Sequence, residues 1–151
     1  LILISKLTKL PLTIVGDGEL KFLLVNFIKK INAPVKIISN INNSELPMLL
    51  NKNTVYISTS LYEGCPKTIL EAMSCGLLTI AYSAPGVDEI ISNQKNGFLT
   101  RQSPYSVVNV IMEIQRNKFP IANIRKKARQ FVIKNNSIKK IINLQDEVYF
   151  K

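Results

Sequence analysis

The sequence predicts an α/β domain in which a parallel sheet is covered by helices on both faces and closed by C-terminal helices. Short apolar runs alternate with helical stretches between Leu12 and Leu99. The runs are apolar throughout, as strands buried on both sides require. After Arg101 only helical pattern remains, with no further strand. At 151 residues the chain fits one domain, large enough to bury about two thirds of the surface its extended form exposes.

The elements follow in order. Leu1-Ile2-Leu3-Ile4 is an apolar opening with no cap or polar lead-in, as expected of a fragment cut from a longer chain. Leu12 to Val15 is a strand, followed at once by Gly16-Asp17-Gly18, whose glycines permit a tight turn and close approach of a ligand. Glu19 to Ile31 is helical, with Leu20, Leu23, Leu24, Phe27 and Ile28 expected on its buried face. Val35 to Ser39 is the next strand. A polar turn over Asn40-Ile41-Asn42-Asn43 leads to a short helix capped by Ser44 and packed through Leu46, Leu49 and Leu50.

Val55 to Ser58 is rich in β-branched and aromatic residues and forms a strand. Pro66, whose fixed φ is already helical, suits the first turn of a helix that runs to Cys75 and stops at Gly76. Leu77 to Ala81 is a fourth strand. Ser83-Ala84-Pro85-Gly86 then turns the chain into a brief helical piece, Asp88 to Ile91, and Gly97 to Leu99 is a last short strand. Val107 to Ile114, Ile121 to Val132 and Ser137 to Val148 are the closing helices, the last capped by Ser137.

Composition excludes several chemistries. There is no histidine, so a histidine base or histidine-containing triad is absent from this chain, and no cysteine cluster has structural-zinc spacing. No metal or other cofactor is expected. Cys65 and Cys75 flank one short helix and fit free thiols in a reducing compartment. No run reaches the roughly 18 to 20 apolar residues of a membrane span. The net charge of +10 is uneven: residues 1–100 carry nine Lys and Arg against seven acids, residues 101–151 eleven against three. That C-terminal excess suits an anionic membrane surface, an anionic substrate, nucleic acid, or simply a solvated face. Arg125, Lys126, Lys127 and Arg129 cluster, but no aromatic residues interleave them as a nucleic-acid stacking surface wants. No specific nucleic-acid partner is expected.

Tyr62 to Gly76, YEGCPKTILEAMSCG, holds two acids eight positions apart around the start of a helix. Strand, loop and helix in that order place a helix N-terminus, with its free amides and partial positive charge, at the carboxyl end of a strand. A phosphate or diphosphate would lie over the amides of Lys67 and Thr68, with Glu63 reaching the attached group. Glu71, deeper in the helix, has the acceptor pair that a vicinal diol requires. Spacing alone also admits a plainer reading, in which Glu63 caps a turn and Glu71 is solvated.

Taken as an ordered set, the motifs resemble the C-terminal half of the GT-B glycosyltransferases, specifically the large retaining group 1 family (family 4). Ile14-Val15-Gly16-Asp17-Gly18 is similar to the family's VGDG turn. Glu63-Gly64-Cys65-Pro66 through Glu71-Ala72-Met73 to Cys75-Gly76 resembles its two-glutamate motif. Pro85-Gly86-Val87-Asp88-Glu89-Ile90 resembles the GGxPE loop, and Asn96-Gly97-Phe98-Leu99 the NGxL element.

The resemblance implies a Rossmann-like donor-binding domain over residues 1–151 and transfer of a sugar from a UDP- or GDP-sugar to a hydroxyl with retention of configuration. It implies that Glu63 faces the donor sugar as the candidate catalytic residue and that Glu71 holds the ribose. Cys65, Pro66, Lys67 and Thr68 meet sugar and diphosphate, Gly16 lines the nucleotide cleft, and Ile38 meets the base through its backbone. The implied partners are an N-terminal GT-B domain of the same polypeptide, a nucleotide-sugar donor and a lipid-linked or glycan acceptor. The implied place is the cytoplasm, on the cytoplasmic face of a membrane.

Departures from the family are equally specific. Members open this domain with a strand and an Arg and Lys pair that neutralises the diphosphate; Lys6 and Lys9 do not occupy those positions. Cys65 replaces a Phe, Asp88 a Pro and Pro85 a Gly. The fragment by itself is therefore expected to be inactive. The rivals are a nucleotide-sugar epimerase or a pyridoxal-phosphate-dependent sugar phosphorylase of the same architecture, and a basic nucleic-acid-binding module.

Overall fold

In the computed structural model, which describes residues 1–137 together with 140 and 142, the chain alternates helix and strand to residue 82, adds a last strand at 98–100 without an intervening helix, and is helical thereafter. The strands are β1 (Leu12–Val15), β2 (Val35–Ile38), β3 (Val55–Ser58), β4 (Leu78–Tyr82) and β5 (Phe98–Thr100). The helices are α1 (Ile2–Thr8), α2 (Lys21–Ile31), α3 (Leu46–Asn51), α4 (Lys67–Ser74), α5 (Pro104–Gln115) and α6 (Ile121–Asn136). All strand pairs are parallel, so the expected α/β class holds.

The sheet is divided. β1 pairs with β2, Leu12 opposite Val35 through Val15 opposite Ile38, while β3, β4 and β5 form a separate sheet in that order. β4 is its centre, buried along its whole length. Side chains on a strand alternate between faces. Leu78, Ile80 and Tyr82 accordingly enter one core with Ile4, Phe98, Val107 and Ile111, and Ala81 enters the other with Ile69, Met73, Val87 and Ala128. Phe98 meets Phe119 edge to face, ring centroids 4.9 Å apart. Each such fully buried aliphatic or aromatic side chain contributes about 1.5–3 kcal/mol.

α4 is fixed by this second core. Ile69, Ala72 and Met73 are fully buried and recur at the spacing of one helical face. α6 packs across α4 through Ala128 and Val132 and so forms the closing layer.

Several expectations need correction. The N-terminal apolar run is a helix, α1, packed on α5. α2 buries no residue: Leu20, Leu23 and Phe27 are exposed, because the strands it connects, β1 and β2, form a sheet of only two strands that offers little surface to cover them. Ser44 does not cap α3; Glu45 does, and its carboxylate accepts the Asn42 amide at 3.3 Å. Asp88 to Ile90 lie in turns, not a helix: the Ile90 and Ile91 amides both return to the Val87 carbonyl and no further residue continues the run. The third closing helix, 137–148, falls mostly outside the described residues.

Candidate functional site

Two loops and a helix start converge at the carboxyl ends of β3 and β4. The loop after β3 carries Glu63, whose amide donates to the Pro85 carbonyl at 3.2 Å and so ties it to the turn after β4. That turn is held by Ser83, whose amide donates to the Thr100 carbonyl at 2.8 Å and whose hydroxyl meets Asp88 at 3.0 Å. Asn96 fixes the approach to β5: its side chain accepts from the Ser92 amide at 2.7 Å and donates to the Ile90 carbonyl at 3.0 Å.

Pro66 is buried and caps α4 with φ −77° and ψ 66°. Those angles are those of an inverse γ-turn, and the Lys67 amide accordingly donates back to the Cys65 carbonyl at 2.8 Å. The next free donor is Thr68, whose amide has no backbone acceptor among the described residues. Of the two amides expected to face a diphosphate, the structure leaves one. The Cys65 and Lys67 side chains are both exposed, and Cys65 is a free thiol.

The two glutamates come together around a residue the sequence reading did not name. Burial pushes the Tyr56 phenol above its ordinary value of 10.0, the polar side chain of Thr68 pulls it back, and the charges of Glu63 and Glu71 push it up again. Tyr56 thus stands beside Thr68 and within electrostatic reach of both carboxylates. Its only sequence signal is a polar-tipped aromatic as the second residue of the four-residue strand β3. Glu63 is half-buried and Glu71 exposed. Glu71, Thr68 and Tyr56 border a cavity of about 760 Å³ that also reaches Val15 and Ile41.

Gly16 and Ile38 sit on the β1 and β2 side of that cavity and do not border it. The Gly16 amide donates to the Ile38 carbonyl at 2.9 Å, so that carbonyl, expected to meet a base, is already engaged by the sheet. Lys21 bridges the two strand ends, 3.0 Å from the Asp17 carboxylate and bonded to the Ser39 hydroxyl. The arrangement therefore offers a carboxylate on each side of a helix start, one free amide, a phenol, and a glycine turn next to Val15. It is chemically suited to a ligand with a phosphate and vicinal hydroxyls.

Known proteins resemble this chain over most of its length. The chain is 31% identical over 137 residues to UDP-Gal:alpha-D-GlcNAc-diphosphoundecaprenol alpha-1,3-galactosyltransferase of Escherichia coli, an alignment covering 88% of this chain and 35% of that protein. It is 24% identical over 135 residues to chitobiosyldiphosphodolichol beta-mannosyltransferase of Debaryomyces hansenii, covering 83% of this chain and 29% of that one. The chain thus spans about a third of the length of these curated relatives. The crystal structure of Anabaena HepE in complex with UDP superposes with a TM-score of 0.86 at 25% identity, covering 97% of this chain and 43% of that one. The family model "Glycosyl transferases group 1" matches residues 2–142, and the chain belongs to that family.

Proposed function

We propose that this chain is the donor-binding, C-terminal part of a GT-B enzyme that transfers a sugar from a nucleotide diphosphate-sugar to a hydroxyl acceptor with retention of configuration. The observation that carries the reading is that Glu71, Thr68 and Tyr56 border one cavity at the start of α4, beside the Glu63 loop that is tied to the turn after β4. Glu71 accepts from the ribose hydroxyls, the free Thr68 amide and the α4 N-terminus receive the diphosphate, and Glu63 faces the sugar. Gly16 and Ile38 stand behind Val15 and Ile41 on the nucleotide side; Cys65, Pro66 and Lys67 shape the diphosphate turn. Positioning and stabilisation of charge on the departing diphosphate carry the rate, and no metal or other cofactor enters.

The acceptor we infer is a lipid-linked saccharide. Both relatives above carry in their names a diphosphate on a long-chain alcohol. The basic excess of residues 101–151 suits the anionic cytoplasmic face of a membrane, and among the described residues no helix is long and apolar enough to cross one. The relatives are named for α- and for β-linked products, so stereochemistry is decided by the product itself. Assay of the full-length polypeptide against UDP- and GDP-sugars with a polyprenyl-diphosphate saccharide, followed by NMR of the anomeric proton, is the test. Retained configuration is expected; an inverted product, or no transfer from any donor, overturns the reading.

A further inference from the structure

Around its first two turns α2 presents four large apolar side chains to solvent: Phe22 is 73% exposed, Leu20 63%, Leu23 62% and Phe27 44%. Leu20, Leu23 and Phe27 recur at the spacing of one helical face, with Phe22 beside them. None of the four borders the 760 Å³ cavity, so they belong to the outer surface of the domain and not to its site. The other exposed positions of the helix are Asn26, Lys29 and Lys30. Its outward arc is therefore apolar at the start and cationic at the end. Lys6 of α1 adds a third ammonium there, 3.5 Å from the carbonyl of Asn32, the residue that closes α2. No acid occurs between residues 20 and 44, and Asp17, just ahead of the helix, is held by Lys21 at 3.0 Å. Glu19 is the other acid close in sequence.

We propose that this face of α2 docks on an anionic lipid bilayer, with Leu20, Phe22, Leu23 and Phe27 entering the boundary between headgroups and acyl chains and Lys6, Lys29 and Lys30 meeting lipid phosphates. Soluble proteins rarely leave contiguous apolar surface open. An anionic bilayer supplies an apolar layer and negative charge together, which is the complement of this arc. Lysine stems lie along the apolar layer while their ammonium groups reach the phosphates. At 11 residues α2 is far too short to span a membrane, so it lies in the plane of the surface. Its place in the fold suits that role. α2 follows directly on the Gly16-Asp17-Gly18 turn at the carboxyl end of β1, and Val15, at that end, borders the same cavity as Thr68 and Glu71. Docked through the start of α2, the domain holds its candidate donor site near the lipid surface. The proposal deepens the reading of a lipid-linked acceptor and rests on it for its purpose, but its test needs neither donor nor acceptor.

Co-sedimentation of the full-length polypeptide with vesicles of phosphatidylcholine and phosphatidylglycerol, mixed at about three to one, tests it. Phe22→Ser combined with Phe27→Ser is expected to lower the partition coefficient about tenfold or more, and Lys29→Glu combined with Lys30→Glu to do the same at low salt. The same charge change on α6, Lys126→Glu with Lys127→Glu, is expected to cost only about threefold, since those lysines act by long-range attraction. In Phe22→Trp, vesicles should shift the added emission to the blue and brominated acyl chains should quench it. Equal partition of the parent and both α2 variants overturns the docking face, as does failure of the parent to bind vesicles. A Phe22→Trp emission that is already blue without vesicles and indifferent to brominated lipid also overturns it, because another part of the polypeptide then covers the face. Transfer to a polyprenyl-diphosphate saccharide is measured separately: its absence, with α2-dependent vesicle binding intact, refutes the acceptor and leaves the docking face standing.

Discussion

The backbone of Gly86 passes so close to Glu63 that a Cβ at position 86 would lie 1.8 Å from the Glu63 carbonyl oxygen. Gly86 also has φ 81°, a region that costs other residues about 1–2 kcal/mol. The contact and the Glu63 amide bond to Pro85 clamp the Glu63 loop onto the turn after β4. Gly86→Ala is therefore expected to displace Glu63 while leaving Glu71 on its helix. In the full-length enzyme, turnover should fall at least tenfold with UDP affinity changed less than threefold, and the melting temperature should drop. Calorimetry with UDP beside a transfer assay separates the two. Equal loss of affinity and turnover would place Gly86 in general folding and not in positioning Glu63.

The glutamates should divide the work. Glu71 borders the cavity and Glu63 does not, so Glu71→Ala is expected to weaken UDP binding by about 1.5–3 kcal/mol, the worth of hydrogen bonds to a charged group, or about 10- to 150-fold in Kd. Glu63→Ala should lower kcat with little change in UDP affinity. Measured Kd values for UDP in the two variants check the assignment, and an unchanged constant for Glu71→Ala removes the ribose role.

Much of this was legible from residue pattern, and the failures have physical causes. β1 and β3 match their expected limits because Leu-Thr-Ile-Val and Val-Tyr-Ile-Ser are β-branched or aromatic runs bounded by a glycine turn or polar residues. α1 was missed because its run lacks a side-chain cap and its helical face shows only against α5. The division of the sheet is invisible to periodicity, which reports that a strand is apolar and not which strand lies beside it. Tyr56 was missed for a related reason: a tyrosine in a strand looks like core until the loop carrying Glu63 and the helix carrying Thr68 are folded over it. The Lys67 amide was misassigned because its direction depends on the ψ of Pro66, which proline does not fix.

Lys67 itself remains a side chain near the diphosphate turn, exposed and without an ion pair among the described residues. A cation in the first turn of a helix is unfavourable by about 0.3–1 kcal/mol unless an anion is near. Lys67→Ala is expected to raise the Kd for UDP several-fold at low salt and to flatten its dependence on ionic strength. Calorimetry at two salt concentrations reads this directly. The same constant for both proteins at both concentrations would leave Lys67 a surface residue.

Tyr56 gives the site a signature in alkaline solution. Its phenol is raised by burial first and by the two glutamates after, so the folded chain keeps a proton that the unfolded chain loses near pH 10. Between those two values the unfolded state binds fewer protons, and stability falls as pH rises. The contribution is whole below the unfolded value and is lost above it. Spectrophotometric titration of the full-length protein should therefore show Tyr56 ionising above the ordinary range together with the buried Tyr82, and Tyr56→Phe should remove the Tyr56 transition while that of Tyr82 remains. Glu63→Gln and Glu71→Gln should each lower the Tyr56 midpoint without abolishing its elevation, since burial is the larger cause. Titration of Tyr56 at its ordinary value, or a midpoint indifferent to both glutamates, would separate Tyr56 from the carboxylates and remove it from the site.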